Sequence, residues 1–257
     1  MATVQRARLV RILEEDPDLA HRLDERDLGV ATRQTVGTLE PIPKGPWRPV
    51  TLAAGKSLFG GLILDGLLAR ELSVAGGTSA ELLAFGDLVL PADADATVPF
   101  IAPATEWTAL EPARIAWLDA PFAVAVRRWP ELGAALLERS QRRFTRLAVT
   151  QAVSQLTRVD ERVLLMLWHL AERWGRVTSD GVVVPVRLTH RVLARLVGAR
   201  RPSVTTAIGE LERRALVTRR QDGTWLLHGT PPDGLRRIEH PSPWEHGRAR
   251  VPGLERV

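Results

Sequence analysis

Apolar residues in the last third of the chain recur at helical spacing in three separate runs. Val163, Leu164, Leu167, Leu170 and Trp174 make the first stripe, Val192, Leu193, Leu196 and Val197 the second, and Val204, Ala207, Ile208 and Leu211 the third. Thr157-x-x-Asp160 has the form of a capping box opening the first helix. Thr189 stands where it can cap the second. Gly198 falls between the second and third stripes, where the chain must reverse and a residue without Cβ reaches left-handed angles cheaply. Pro202 sits near the first turn of the third helix, where a missing N–H is harmless. Short β-prone runs flank these helices: Val182–Val184 and Val186–Leu188 upstream, entered by Ser179-Asp180-Gly181, and Val217–Gln221 with Thr224–His228 downstream. The downstream pair encloses Asp222-Gly223, a strong hairpin signal. Helix, strands, helix, turn, helix and hairpin is the order of a winged helix-turn-helix domain.

The polar positions say what the domain meets. The third helix opens with Arg200 and Arg201, and its solvent face carries Pro202, Ser203, Thr205, Thr206 and Glu210. Such a face fits the DNA major groove, where Arg forms a bidentate contact to guanine and hydroxyls reach bases or phosphates. Arg219 and Arg220 in the hairpin are placed for phosphate contact, and Thr189 lies at the same edge. A helical hairpin with a merely solvated basic face is the plainer alternative. The flanking hairpin and upstream helix favour double-stranded DNA as the partner.

Between Gly29 and Asp119 the pattern changes to short apolar runs separated by Gly and Pro: VTLAAG, GGLILDGLLARELSV, AELLAFGDLVLP, TVPFIAP, TEWTAL and ARIAWLD. Many short strands with turns between them predict a β-roll or jelly roll. Residues 5–24 predict one or two short helices, with Leu9, Ile12, Leu13, Leu19 and Leu23 as the apolar set. Trp47, Trp107 and Trp117 either fill the core of the roll or line a pocket in it.

From Pro121 to Ser154 the spacing predicts one long helix after a break at Pro130. Leu132, Leu136 or Leu137, Ser140, Phe144, Leu147 and Gln151 alternate by three and four along one seam, the stripe of a two-stranded coiled coil and thus of a homodimer. The same stripe could pack within one chain. Arg139, Arg142, Arg143 and Arg146 flank it, either solvated or facing acids of a partner's β domain. The tail from Gly229 is rich in Pro and Gly and reads as extended or disordered, with Arg236, Arg237, Arg248 and Arg250 as further candidates for phosphate contact and Trp244 able to dock on the body. Asp93 and Asp95 read as an exposed acidic loop, with a cation or a partner protein as the alternatives.

Charge sharpens this picture only when it is located. Residues 157–228 hold 13 Arg against 7 Asp and Glu, a net +6, whereas residues 1–156 carry a net −2. A positive field confined to the winged segment is what phosphate attraction requires. With 0 Cys the chain has no disulfide, Cys-ligated zinc or thiolate-held iron–sulfur cluster. The six histidines show no metal-ligand spacing, and no cofactor is implied. Charges interrupt every apolar run near the N-terminus, so neither a signal peptide nor a membrane span is expected, and the default location is cytoplasmic.

Residues 157–228 resemble the C-terminal domain of Crp/Fnr-type transcription regulators in VDERVLLMLW, LTHRVLARLVG and RRPSVTTAIGELE. The N-terminal half is similar to that family's cyclic-nucleotide-binding-like domain at Phe85-Gly86-Asp87-Leu88 and in the run from Thr108 to Glu111 leading into Ile115–Leu118. The resemblance implies an α+β protein: a β-roll sensor with N-terminal helices over residues 1–120, a dimerisation helix over 121–156, a winged helix-turn-helix domain over 157–228 and a tail over 229–257. It gives Arg201 the family's base- or phosphate-contacting role. Pro202 replaces a base-reading acid and Thr206 a basic residue, so the DNA sequence read should depart from the family's usual one. Cyclic-AMP-binding members grip the cyclic phosphate with an Arg-Ser pair; the corresponding positions here are Pro103 and Ala104, and no Arg or Lys occurs between Arg70 and Arg114. Cyclic AMP is therefore not expected to bind in the usual way. The effector, if one exists, is not legible.

The expected function is sequence-specific regulation of transcription by a homodimer on a pseudo-palindromic site, with RNA polymerase as a further partner. An architectural or scaffold role for the winged fold is the alternative. An enzyme is disfavoured, because no Gly-x-Ser-x-Gly, phosphate loop or paired His ligands are present.

Overall fold

The computed structural model describes residues 8–49, 59–91 and 103–232. The VTLAAG run, the TVPFIA part of TVPFIAP, Asp93, Asp95 and the tail residues Arg236, Arg237, Trp244, Arg248 and Arg250 lie outside the described residues.

The N-terminal half is built on a seven-stranded antiparallel sheet. Strand β1 (Arg8–Arg11) leads into α1 (Ile12–Glu15), a 3-10 turn (Pro17–Ala20) and α2 (Glu25–Gln34). The strands that follow are β2 (Val36–Ile42), β3 (Gly45–Trp47), β4 (Gly61–Val74), β5 (Gly77–Ala84), β6 (Leu88–Val89) and β7 (Ala104–Trp117). The central order is β1-β2-β7-β4-β5, with β3 on β7 and β6 on β4. Two departures from the sequence expectation stand out. Residues 8–11 form a strand, because Arg8 to Arg11 pair with Leu39 to Val36, and Leu9 is 61% exposed instead of joining the apolar set. TEWTAL and the ARIAW of ARIAWLD belong to one 14-residue strand, β7. Pro112, which reads as a break, faces a bulge at Gly66 where β4 shifts register. Gly66 has φ +87 and an added Cβ would meet the Pro112 carbonyl oxygen at 2.3 Å, so the missing N–H of proline and the missing Cβ of glycine fall at one irregularity.

The three tryptophans form core. Trp47 packs edge-on to Trp107, with ring centres 5.5 Å apart, and stacks on Trp117 at 6.4 Å. Their buried indoles need acceptors. Glu40 serves two of them, taking the Trp47 N–H at 3.0 Å on Oε1 and the Trp117 N–H at 2.7 Å on Oε2.

Helices α3 (Ala120–Arg128) and α4 (Pro130–Ser154) follow, divided at Trp129-Pro130 as the sequence predicts. The expected dimer seam divides as well. Leu132 (1% exposed) and Leu136 (4%) belong to a core shared with Ile12, Leu19, Leu62, Leu118 and Phe122 of the same chain. Leu137 and Phe144 are both 59% exposed, Ser140 donates to the Leu136 carbonyl, Leu147 is half-buried and Gln151 exposed. A spacing of three and four finds a stripe but does not say which body it faces.

Three of the four flanking arginines, placed on solvent or a partner from sequence, bind acids of their own chain. Arg139 reaches buried Asp16 at 2.8 Å. Arg143 forms a fork with Glu81, at 3.1 Å from Nε and 2.5 Å from Nη2, and its Nη1 donates to the Leu88 carbonyl at 3.1 Å. Arg146 meets Asp87 at 2.5 Å. Arg142 remains exposed.

The C-terminal unit consists of α5 (Val159–Trp174), β8 (Arg176–Thr178), β9 (Gly181–Val184), α6 (His190–Leu196), α7 (Arg201–Arg213), β10 (Val217–Arg219) and β11 (Trp225–Leu227). Its four strands order as β10-β11-β9-β8. Residues Val186–Leu188, read as a strand, are not one: Pro185 offers no N–H to a ladder, and Val186 and Leu188 are buried as a loop. The capping box at Thr157 does not form. Arg158 occupies the cap position, and its guanidinium takes the Asp160 carboxylate at 2.6 Å, which holds that carboxyl below its ordinary range.

Candidate nucleic-acid interface

Local rules position the two helices of the motif. Thr189 Oγ1 accepts the Val192 N–H at 3.2 Å, capping α6 as expected. Gly198 closes α6 at φ +62, and the Ala199 N–H returns to the Ala194 carbonyl at 2.8 Å. Pro202 then lies in the first turn of α7. Val192, Leu193, Leu196 and Val197 meet Val204, Ala207, Ile208 and Leu211 in one core with Val163, Leu167 and Leu170 of α5, the sets the periodicity picked out. The turn of the wing is fixed by its own side chain: Asp222 Oδ1 accepts from the Thr224 N–H at 2.9 Å and the Thr224 hydroxyl at 2.6 Å, and Gly223 takes φ +84.

What remains outside is the polar face. Arg200, Arg201, Pro202, Ser203, Thr205 and Thr206 are all exposed along the start of α7, Thr189 at the cap of α6, and Arg219 and Arg220 on the wing. All nine residues thus face solvent, and Arg201 and Arg219 are near enough to act together on His190. Among the described residues Arg200 and Arg201 have no acid partner. Arg219 lies over the buried Trp225 ring at 5.8 Å, which stiffens its stem, while its backbone N–H donates to Glu212 Oε1 at 3.3 Å. Arg220 faces Asp222 at 4.0 Å, a loose surface pair. An exposed helix N-terminus with two unpaired guanidiniums and a basic hairpin beside it can bind a polyanion and read base edges.

The sequence reading passed over His190, which joins this surface from α6. Its Nδ1 lies 3.0 Å from Thr205 Oγ1 on α7, and its Nε2 is buried without a partner. Burial, then the charges of Arg219 and Arg201, hold its pKa below the ordinary 6.5; Glu212 acts weakly the other way. His190 reads from sequence as one more polar residue in a capped turn, because only the crossing of α6 and α7 brings it to Thr205. No cluster of three His, Cys, Asp or Glu that could hold a metal occurs among the described residues, and no helix there is long and apolar enough to cross a membrane.

A lowered folded-state pKa means that the unfolded chain binds more protons below pH 6.5, so folding loses stability as pH falls through that window. The urea midpoint of the protein should drop between pH 7 and pH 5 more steeply than that of His190→Asn. Parallel slopes would show that His190 is not held neutral.

Residues 161–238 match the model of the Crp-like helix-turn-helix domain. No curated protein matches the chain by sequence. Among solved structures, a cyclic nucleotide-binding domain containing protein from Listeria monocytogenes is 18% identical, with a TM-score of 0.60 over 82% of this chain and 96% of that one. A CooA variant from Carboxydothermus hydrogenoformans is 17% identical, with a TM-score of 0.60 over 77% and 85%. CLP of Xanthomonas campestris, described as a c-di-GMP responsive global regulator, is 15% identical, with a TM-score of 0.55 over 76% and 95%. The chain thus carries a Crp-like helix-turn-helix domain behind a β-rich sheet domain and shares the overall fold of these structures.

Proposed function

We propose that the protein is a cytoplasmic transcription regulator that binds a pseudo-palindromic DNA site as a homodimer and acts on RNA polymerase. The observation that carries this reading is the open face of α7, with unpaired Arg201 at its first turn and the wing arginines beside it. The dimer rests on the outward side of α4. With Leu132 and Leu136 committed to the core, Leu137 and Phe144 are the exposed apolar groups of the seam, flanked by Ser140, Leu147 and Gln151. Two large apolar side chains left on one helix face suit a second copy of the same helix.

Cyclic AMP is not the switch in this reading. Ala104 begins β7 as an exposed residue, and Asp87, the acid of the Gly-acid-Leu turn, is engaged by Arg146, by Arg173 at 2.7 Å and by the Ala84 N–H at 2.9 Å. No basic side chain from residues 71 to 113 is present to grip a phosphate.

Selection from random DNA should enrich one symmetric motif; an architectural protein would enrich none. On that motif Arg201→Ala should cost roughly 1 to 3 kcal/mol if the guanidinium reads a base. Uniform weakening on all sequences would assign it to phosphate. The doubly substituted Leu137→Glu, Phe144→Glu protein should sediment as a monomer at micromolar concentration while keeping its helix content. A parent protein that is monomeric with and without DNA would overturn the dimer. Titration calorimetry should detect no cyclic AMP binding, and micromolar binding would refute that part.

A further inference from the structure

Two of the three hydroxyl hydrogens on α7, those of Thr205 and Thr206, are donated inside the protein, and this limits what the two side chains can offer a base. Thr205 Oγ1 is 3.1 Å from the Arg201 carbonyl oxygen and 3.0 Å from His190 Nδ1. A hydroxyl carries one hydrogen. The carbonyl can only accept, so the Thr205 hydrogen goes to Arg201, and the Nδ1 contact must be an N–H donated by His190. The imidazole is thereby assigned its Nδ1–H tautomer, with the bare nitrogen at the buried, unpartnered Nε2. Arg201, Arg219 and Glu212 are the charged groups facing it; burial first, then the two arginines, disfavour the doubly protonated ring.

Thr205 is therefore held in one rotamer from two sides. Its oxygen faces the Arg201 carbonyl and His190 of α6, which leaves the methyl as the uncommitted group of this exposed residue. Thr206 also donates back, to the Pro202 carbonyl, but at 3.3 Å and with no brace from another helix. We infer that α7 reads a thymine through the Thr205 methyl, with His190 as the residue that positions it. The C5-methyl of thymine is the one apolar group on the major-groove edge of the base pairs. Thr205 stands one helical turn after Arg201, roughly 6 Å along the axis. That is about two base-pair steps at roughly 3.4 Å each, so the thymine lies within about two pairs of the Arg201 contact. The inference rests on the regulator reading and specifies the chemistry of its site.

The test replaces each thymine of the selected motif in turn by deoxyuridine, which lacks only the C5-methyl. At one thymine per half-site the affinity should fall about fourfold, the worth of one buried methyl group. Thr205→Ser, which keeps the hydroxyl, should become indifferent to that exchange; Thr205→Val, which keeps the methyl, should retain the penalty. His190→Ala should blunt the penalty, and His190→Asn, whose amide can donate from the Nδ1 position, should restore it. Indifference of the parent protein to every exchange, or a penalty that survives in Thr205→Ser, overturns the inference alone. Selection that enriches no motif overturns the regulator reading, and this inference with it.

Discussion

The row of arginines on α4 fixes the rest of the molecule. Arg139, Arg143 and Arg146 stand four and three residues apart and reach Asp16, Glu81 and Asp87, each from a different element of the β domain. Buried pairs of this kind add little net stability, since desolvation offsets the attraction; burial even raises the Asp16 carboxyl above its ordinary range despite Arg139. What they supply is orientation. One fork and two single ion pairs on successive turns of the 25-residue helix leave α4 one rotation about its axis. That rotation sends Leu132 and Leu136 into the core and leaves Leu137 and Phe144 outside. Asp87 also receives Arg173 of α5, so the same anchor places the DNA-binding unit against the β domain.

That unit was legible in the sequence because its determinants are local. A 3.6-residue period located the buried set of α7, a glycine marked the turn, and an aspartate bonding its own backbone marked the wing, each resting on residues within a few positions of one another. The exposed face then followed by subtraction. Identifying the β-roll needed less, only the alternation of short apolar runs with turn residues.

Several misreadings arose where a specific partner, near or far along the chain, overrode a generic local preference. Thr157 lost the cap because Arg158 captured Asp160 first. Arg8 to Arg11 became a strand because β2 offered an open edge. The α4 stripe mixed two faces because an apolar residue is the same residue whether it meets its own core or a second chain. His190 stayed hidden for a related reason: its partner lies 15 residues away, across a turn whose crossing angle no spacing encodes. The site was thus readable as a surface but not as a set of hydrogen bonds, and the hydrogen bonds are what distinguish a hydroxyl from a methyl as the reading group.

Strand β4 passes through all three apolar cores. Leu62 and Leu64 join the N-terminal helices and α4, Ile63 and Leu68 the tryptophan cluster, and Leu67 and Ala69 the core of the winged unit, which β5 enters through Ala80, Leu82 and Ala84. The reversal of faces at the Gly66 bulge is what lets one strand serve three bodies. The β domain and the winged unit are thereby not beads on a string. Neither can melt without exposing apolar surface of the other, so the shared core ties the local unfolding of one unit to that of its neighbour.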